Sequence, residues 1–93
     1  MSFDGLLYVA GYDDIAAVLG PLGNAQAINN AGALHFITYG RAEGREVDIF
    51  DAEQYLANYP GLGAAGLDTP DELALHYILY GRAAGLSYEP LIA

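Results

Sequence analysis

Two histidines stand in nearly the same phrase, "HFITYGRAEGR" over 35–45 and "HYILYGRAAGL" over 76–86. Imidazole moves protons near neutral pH and ligates metals. His35 and His76 could therefore hold a haem or a metal between them, or work as acid and base. Each phrase continues into Tyr39-Gly40-Arg41 or Tyr80-Gly81-Arg82, which could clamp an anion. Repetition argues for plainer roles. Equivalent positions of a duplicated unit call for equivalent packing, and glycine followed by arginine reads as a helix end with a cation favoured by the helix dipole. Structural histidines and capping glycines are thus the expectation. Phe36, Tyr39, Tyr77, Ile78, Tyr80, Arg41 and Arg82 are the candidates for packing and assembly. No catalytic, cofactor-binding or metal-binding residue is assigned, and haem or metal on His35 and His76 is the alternative.

Other chemistry finds less support. Asp13-Asp14 and the acids at 46, 48 and 51 suggest calcium only weakly, because no stretch alternates acids around a central glycine and ends in glutamate as an EF-hand loop does. The glycines form no phosphate-cradling pattern. Ser2 and Ser87 are the only serines, and there is no cysteine, so serine triads, thiol catalysis and disulfides are all unsupported. The expectation is a protein that is not an enzyme and has no cofactor.

Charge narrows the partners. Twelve acids oppose three arginines and no lysine, a formal net charge of −9. Such a surface repels nucleic acid and anionic lipid, and it favours solubility, divalent cations or basic partners. No run approaches the length of a transmembrane helix, and "MSFDGLLYVAG" lacks the charged leader and long apolar core of an ordinary secretory signal. No residue pattern names a small-molecule ligand.

The elements that position these residues come from a repeat. "SFDGLLYVAGYDDI" (2–15) lies over "IFDAEQYLANYPGL" (49–62), matching Phe3 with Phe50, Asp4 with Asp51, Tyr8 with Tyr55 and Tyr12 with Tyr59. The two histidine phrases match at a different offset, because the first unit carries extra residues within "GPLGNAQAINNAG" (20–32), where a loop insertion is expected. A period of this size is typical of helical solenoids. Asp51 reads as a helix N-cap with Gln54 closing a capping box and Phe50–Tyr55 as a hydrophobic staple, and Pro60 ends that helix. Thr69 and Glu72 form a second capping box, with Glu72 also placed to pair with His76 four residues on. Asn29 or Asn30 starts the corresponding helix of the first unit, and Gly40 and Gly81 end the two histidine helices. Arg41 and Arg82 could then bridge to Asp13, Asp14 or Asp51 of the neighbouring unit. The helix over 71–80 is apolar nearly all round, which calls for cover on several sides; two units supply this with difficulty, so another copy is expected against it.

The pattern "FD…YLANYPGL…A…G…HY…YGRAAG" resembles a repeat of forty-odd residues in large secreted or surface proteins of alphaproteobacteria, which reads F-D-x-x-x-Y-L-A-x-Y-x-D-L and then H-Y-x-x-x-G-x-x-E-G-R. It covers residues 3–45 and 50–86. The resemblance implies an exported scaffold or adhesin, in some proteins beside calcium-binding repeats. Gly61 departs from the pattern, as do Ala84 and Leu86 where the first unit has Glu43 and Arg45, so a site common to all repeats is not implied.

Together these readings predict an all-α protein of two tandem helix–turn–helix repeats in a short solenoid-like domain. The units are 1–49 and 50–86, with 87–93 a tail or the start of a third. The expected role is an extracellular structural or self-assembling protein, a filament or surface-layer subunit or an adhesive module, forming homo-oligomers or polymers. Location outside the cell or on its surface, without an ordinary signal, is expected; a cytoplasmic location stays open.

Overall fold

The computed structural model describes residues 4–91. The chain is all-α, and among the described residues there is no strand. The first unit holds α1 (Gly5–Ala10), α2 (Asp13–Leu19), a 3-10 turn (Gly20–Leu22) and α3 (Ala25–His35), which runs on as a π-helical turn (Phe36–Gly40). The second holds α4 (Ala52–Asn58), the single turn α5 (Gly61–Ala64) and α6 (Pro70–His76), which also runs on as a π-helical turn (Tyr77–Gly81).

Side-chain caps set most of the starts. Asp4 accepts from Leu7 N and Asp51 from Gln54 N, each satisfying a first-turn amide that has no partner inside its helix. Thr69 and Glu72 form the expected capping box. The staple forms as well, with the Phe50 and Tyr55 rings 5.6 Å apart; Phe3, its counterpart in the first unit, lies outside the described residues. α4 ends at Asn58, ahead of Pro60.

Three expectations fail here. Gln54 closes no box, because its carboxamide donates instead to Asn58 Oδ1 at 2.8 Å. α3 starts a turn before Asn29, capped by Asn24, so most of the extra residues lengthen a helix rather than a loop. Asn29 is occupied elsewhere: its Oδ1 accepts from Gly5 N at 2.8 Å and Leu6 N at 3.2 Å, capping α1 from a different helix. Asp4 and Asn29 together satisfy the first three amides of α1.

The helix ends also differ. Gly40 and Gly81 continue the helices, and the left-handed residues are Gly44 and Gly85, with φ of 77° and 79°. Arg45 N bonds Gly40 O and Gly44 N bonds Arg41 O, the paired closure of a Schellman motif, and Leu86, Gly81, Gly85 and Arg82 repeat it. Arg41 and Arg82 therefore lie inside the final turns rather than beyond them.

One apolar core links both units. Leu6, Tyr8, Val9, Ala10, Ile15 and Ile28 of the first join Phe50, Tyr55, Leu73, Tyr77 and Ile78 of the second. α1 packs on α3 and on α6. Its approach to α3 is close enough that a side chain at Gly32 would collide with Val9 Cγ2 and the Gly5 carbonyl. The tail folds back: Tyr88 packs edge-on against Phe50 and Tyr77, and Asn58 Nδ2 donates to the carbonyls of Ser87 and Glu89. Among the described residues no helix is long and apolar enough to cross a membrane.

Removing the shared cap tests this reading of α1. Asn29→Ala is expected to cost about 1–2 kcal/mol in urea unfolding, by leaving two partly buried amides without a partner. Asn30→Ala, at an exposed neighbouring position, is expected to change stability by under about 0.5 kcal/mol.

Candidate functional site

The histidines are positioned identically, each by its own unit. Tyr8 is fully buried on α1, and its Oη lies 2.9 Å from His35 Nδ1; Tyr55 is fully buried on α4, and its Oη lies 2.7 Å from His76 Nδ1. To get there each tyrosine passes the π-helical turn over a glycine. A Cβ on Gly40 would overlap the Tyr8 hydroxyl, and one on Gly81 would overlap the Tyr55 hydroxyl. This close approach, not a left-handed backbone, is what the glycine of the "YGR" phrase provides. The i→i+5 bonds from Arg41 N to Phe36 O and from Arg82 N to Tyr77 O widen the helix at that point.

An aromatic box surrounds each pair. Tyr8 meets Tyr12 at 5.7 Å and Phe36 edge-on at 5.2 Å, while His35 meets Tyr39 at 5.5 Å. In the second unit Tyr55 meets Tyr59 at 5.5 Å and Tyr77 at 5.6 Å, both edge-on, and His76 meets Tyr80 at 5.6 Å. The hydroxyls of Tyr12 and Tyr59 accept from Glu46 N and Ser87 N, fastening the chain that leaves each box.

Burial sets the protonation of the second pair. It raises Tyr55 to about 12 and lowers His76 below its ordinary value. Among the described residues His76 is the only polar partner of the Tyr55 hydroxyl, so that hydroxyl donates and neutral His76 accepts at Nδ1, leaving its proton on Nε2. Glu72 does not reach His76, because its Oε1 is held by Thr69 N, Thr69 Oγ1 and Asp68 N. Each histidine thus commits Nδ1 to the tyrosine of its own unit. Among the described residues no three of His, Asp and Glu gather as a metal site.

The other candidates divide between the seam joining the units and the surface. Tyr77 and Ile78 are buried at the seam, where Tyr77 Oη donates to Asp13 Oδ1 at 3.1 Å. Arg82 lines a seam cleft of about 250 Å3 with Ile78, Leu79, Ala17, Gly20 and Pro21, and its Nε is buried with no hydrogen-bond partner. Tyr39, Tyr80 and Arg41 are exposed, and Phe36 is half-buried. Among the described residues neither Arg41 nor Arg82 joins an ion pair. Arg45 does so instead, inside its own unit. It grips both Asp14 carboxylate oxygens, at 3.1 and 2.9 Å, and Glu43 Oε1 at 2.7 Å, with its guanidinium 4.8 Å from the Tyr12 ring centre. Its hydrogen bond holds Asp14 below the usual carboxylate range. Leu86 takes the place of Arg45 in the second unit, and at the seam a tyrosine–carboxylate hydrogen bond stands where arginine–acid bridges were expected.

The seam carries one unfavourable contact. Asp71, at the start of α6, meets Asp4, the cap of α1. A carboxyl–carboxylate hydrogen bond to Asp4, then partial burial and the Asp4 charge, raise Asp71 to about 6. Comparison with known proteins adds no family: no family model, no curated protein and no solved structure matches the chain.

This geometry makes two predictions. Gly81→Ala is expected to cost about 3 kcal/mol, since the methyl group must displace a buried tyrosine. Gly61→Ala, where a Cβ would meet nothing within 4 Å, is expected to shift stability by under about 1 kcal/mol; equal effects in urea unfolding would contradict the close approach. The second concerns pH. Asp71 has a folded pKa of about 6, above its ordinary 3.8, so the folded state binds the proton more tightly and stability falls as pH rises between those values. Asp71→Asn removes that fall, and above pH 6 it is expected to melt at a higher temperature than the parent. His76 has the opposite sign: its lowered folded pKa gives stability that is present above the ordinary 6.5 and lost as pH falls below it. The wild-type and Asp71→Asn profiles should therefore diverge between about pH 4 and 6 and run parallel above.

Proposed function

We propose that this chain is a structural protein of helical-repeat type, two solenoid-like units that assemble with further copies and serve outside the cell or on its surface. The observation that carries this reading is apolar surface left open on the first unit, including one position whose counterpart the chain itself buries. Ile78 is 3% exposed and its counterpart Ile37 is 64% exposed. Leu34 and Tyr39 are 66% and 58% exposed and border a groove of about 310 Å3 with Leu19, Ala31 and Thr38. Val18 and Leu22 of the same unit are also exposed. A helix face of this kind ordinarily calls for a cap or a neighbour. The resemblance to repeats of exported surface proteins supports the same role, and both tyrosine–histidine pairs serve packing in it.

Sedimentation velocity over a concentration series tests the proposal. The expected result is association at concentrations on the order of micromolar and above. Added salt should strengthen it, because copies carrying a formal −9 repel one another and salt screens that repulsion. A monomer at every concentration, in low and high salt and with calcium, would overturn it.

A further inference from the structure

The seam inside the chain shows which faces belong together. There α6 and its π-helical end lie against the first unit: Tyr77 bonds Asp13, Asp71 meets Asp4, and Ile78 sits in the cleft with Ala17. The repeat carries each of these contacts to the two open faces. On α3 and its π-helical turn the counterparts of Tyr77, Asp71 and Ile78 are Phe36, Asn30 and Ile37. On α4 and α5 the counterparts of Asp13, Asp4 and Ala17 are Pro60, Asp51 and Ala64. These three pairs remain compatible. The hydroxyl and its carboxylate acceptor disappear together, leaving Phe36 to meet Pro60. The two opposed carboxyls become a carboxamide and a carboxylate, Asn30 and Asp51, which attract. The α4 face is open in the way this requires: Ala57 is exposed where Ala10 of α1 is fully buried.

Resting on the self-assembly reading, we propose that a second copy of this chain docks head to tail, its α4–α5 face on the α3 face bearing Asn30, Phe36 and Ile37, and repeats the geometry of the internal seam. Such a contact uses two different surfaces, so each docked copy presents a fresh face and the contact does not stop at two copies. A two-fold dimer would instead join like faces.

The chain has no cysteine, so introduced thiols report the contact directly. Asn30→Cys and Asp51→Cys proteins are prepared separately, mixed in equal amounts and oxidised mildly. The expected product is the disulfide-linked heterodimer of the two variants, far beyond its statistical share. Homodimers alone, or no cross-link, in a protein whose wild type still associates would overturn this inference and leave self-assembly standing. A wild type that does not associate would overturn both. Because Asp51 caps α4, a second variant guards against a folding defect: Ile37→Glu, at a surface position, is expected to move association to at least about tenfold higher concentration, and unchanged association would contradict the proposal.

Discussion

A buried tyrosine hydroxyl that must find a partner organises each half of this molecule. A phenol taken out of water without a hydrogen bond is costly. In both units that bond is made across two helices, from Tyr8 or Tyr55 to a histidine at the end of α3 or α6. The rest follows from the reach. The ring has to cross the partner helix, so the residue beneath it is glycine. The helix widens there into a π turn, and the left-handed terminator falls four residues later, at Gly44 and Gly85. One interaction thus accounts for the tyrosine, the histidine and both glycines of a phrase the chain uses twice.

The two units differ where they meet different surroundings. The hydroxyl of Tyr77 exists to reach Asp13; Phe36, in the equivalent place, has none. The first unit closes its aromatic box with Arg45 over Tyr12 and on Asp14, whereas the second closes with Leu86 and the returning Tyr88. Charge is concentrated on a small body with few cations to offset it. The carboxyls of Asp4 and Asp71 meet at the seam, where the proton they share weakens the junction as it is lost.

Much of the architecture was legible because it rests on local rules. The Asp51 cap, the Thr69–Glu72 box, the Phe50–Tyr55 staple and the break before Pro60 depend on neighbours a few residues apart, and the duplicated spacing marks two equivalent units. Most of the misread points share one cause, a partner distant in sequence. Asn29 caps a helix more than twenty residues earlier, and Arg45 rather than Arg41 or Arg82 finds the acid. Gln54 is the local exception, turning forward to Asn58 rather than back to its cap. The glycine of "YGR" fits the pattern of a helix end, and only the tyrosine lying over it shows why glycine is needed. Tyr8 and Tyr55 already stood as matched positions in the repeat; what spacing alone could not supply was that they point at the matched histidines. The apolar helix over 71–80 is covered within the chain at Leu73, Ala74, Tyr77 and Ile78 and open at Tyr80, and more of the open surface lies on its counterpart, at Leu34, Ile37 and Tyr39.

Both units depend on those two hydrogen bonds, and the direction of the second fixes the tautomer of His76. Long-range nitrogen–proton correlation spectra of the imidazoles, recorded at about pH 8 where an ordinary histidine is neutral, read it directly. His76 should appear as the Nε2–H tautomer with Nδ1 shifted as an acceptor, and the Nδ1 signal of each histidine should move when the tyrosine of the same unit becomes phenylalanine. A His76 ring that exchanges between tautomers, or imidazoles that ignore the loss of their tyrosine, would show that the pairs do not hold the units together.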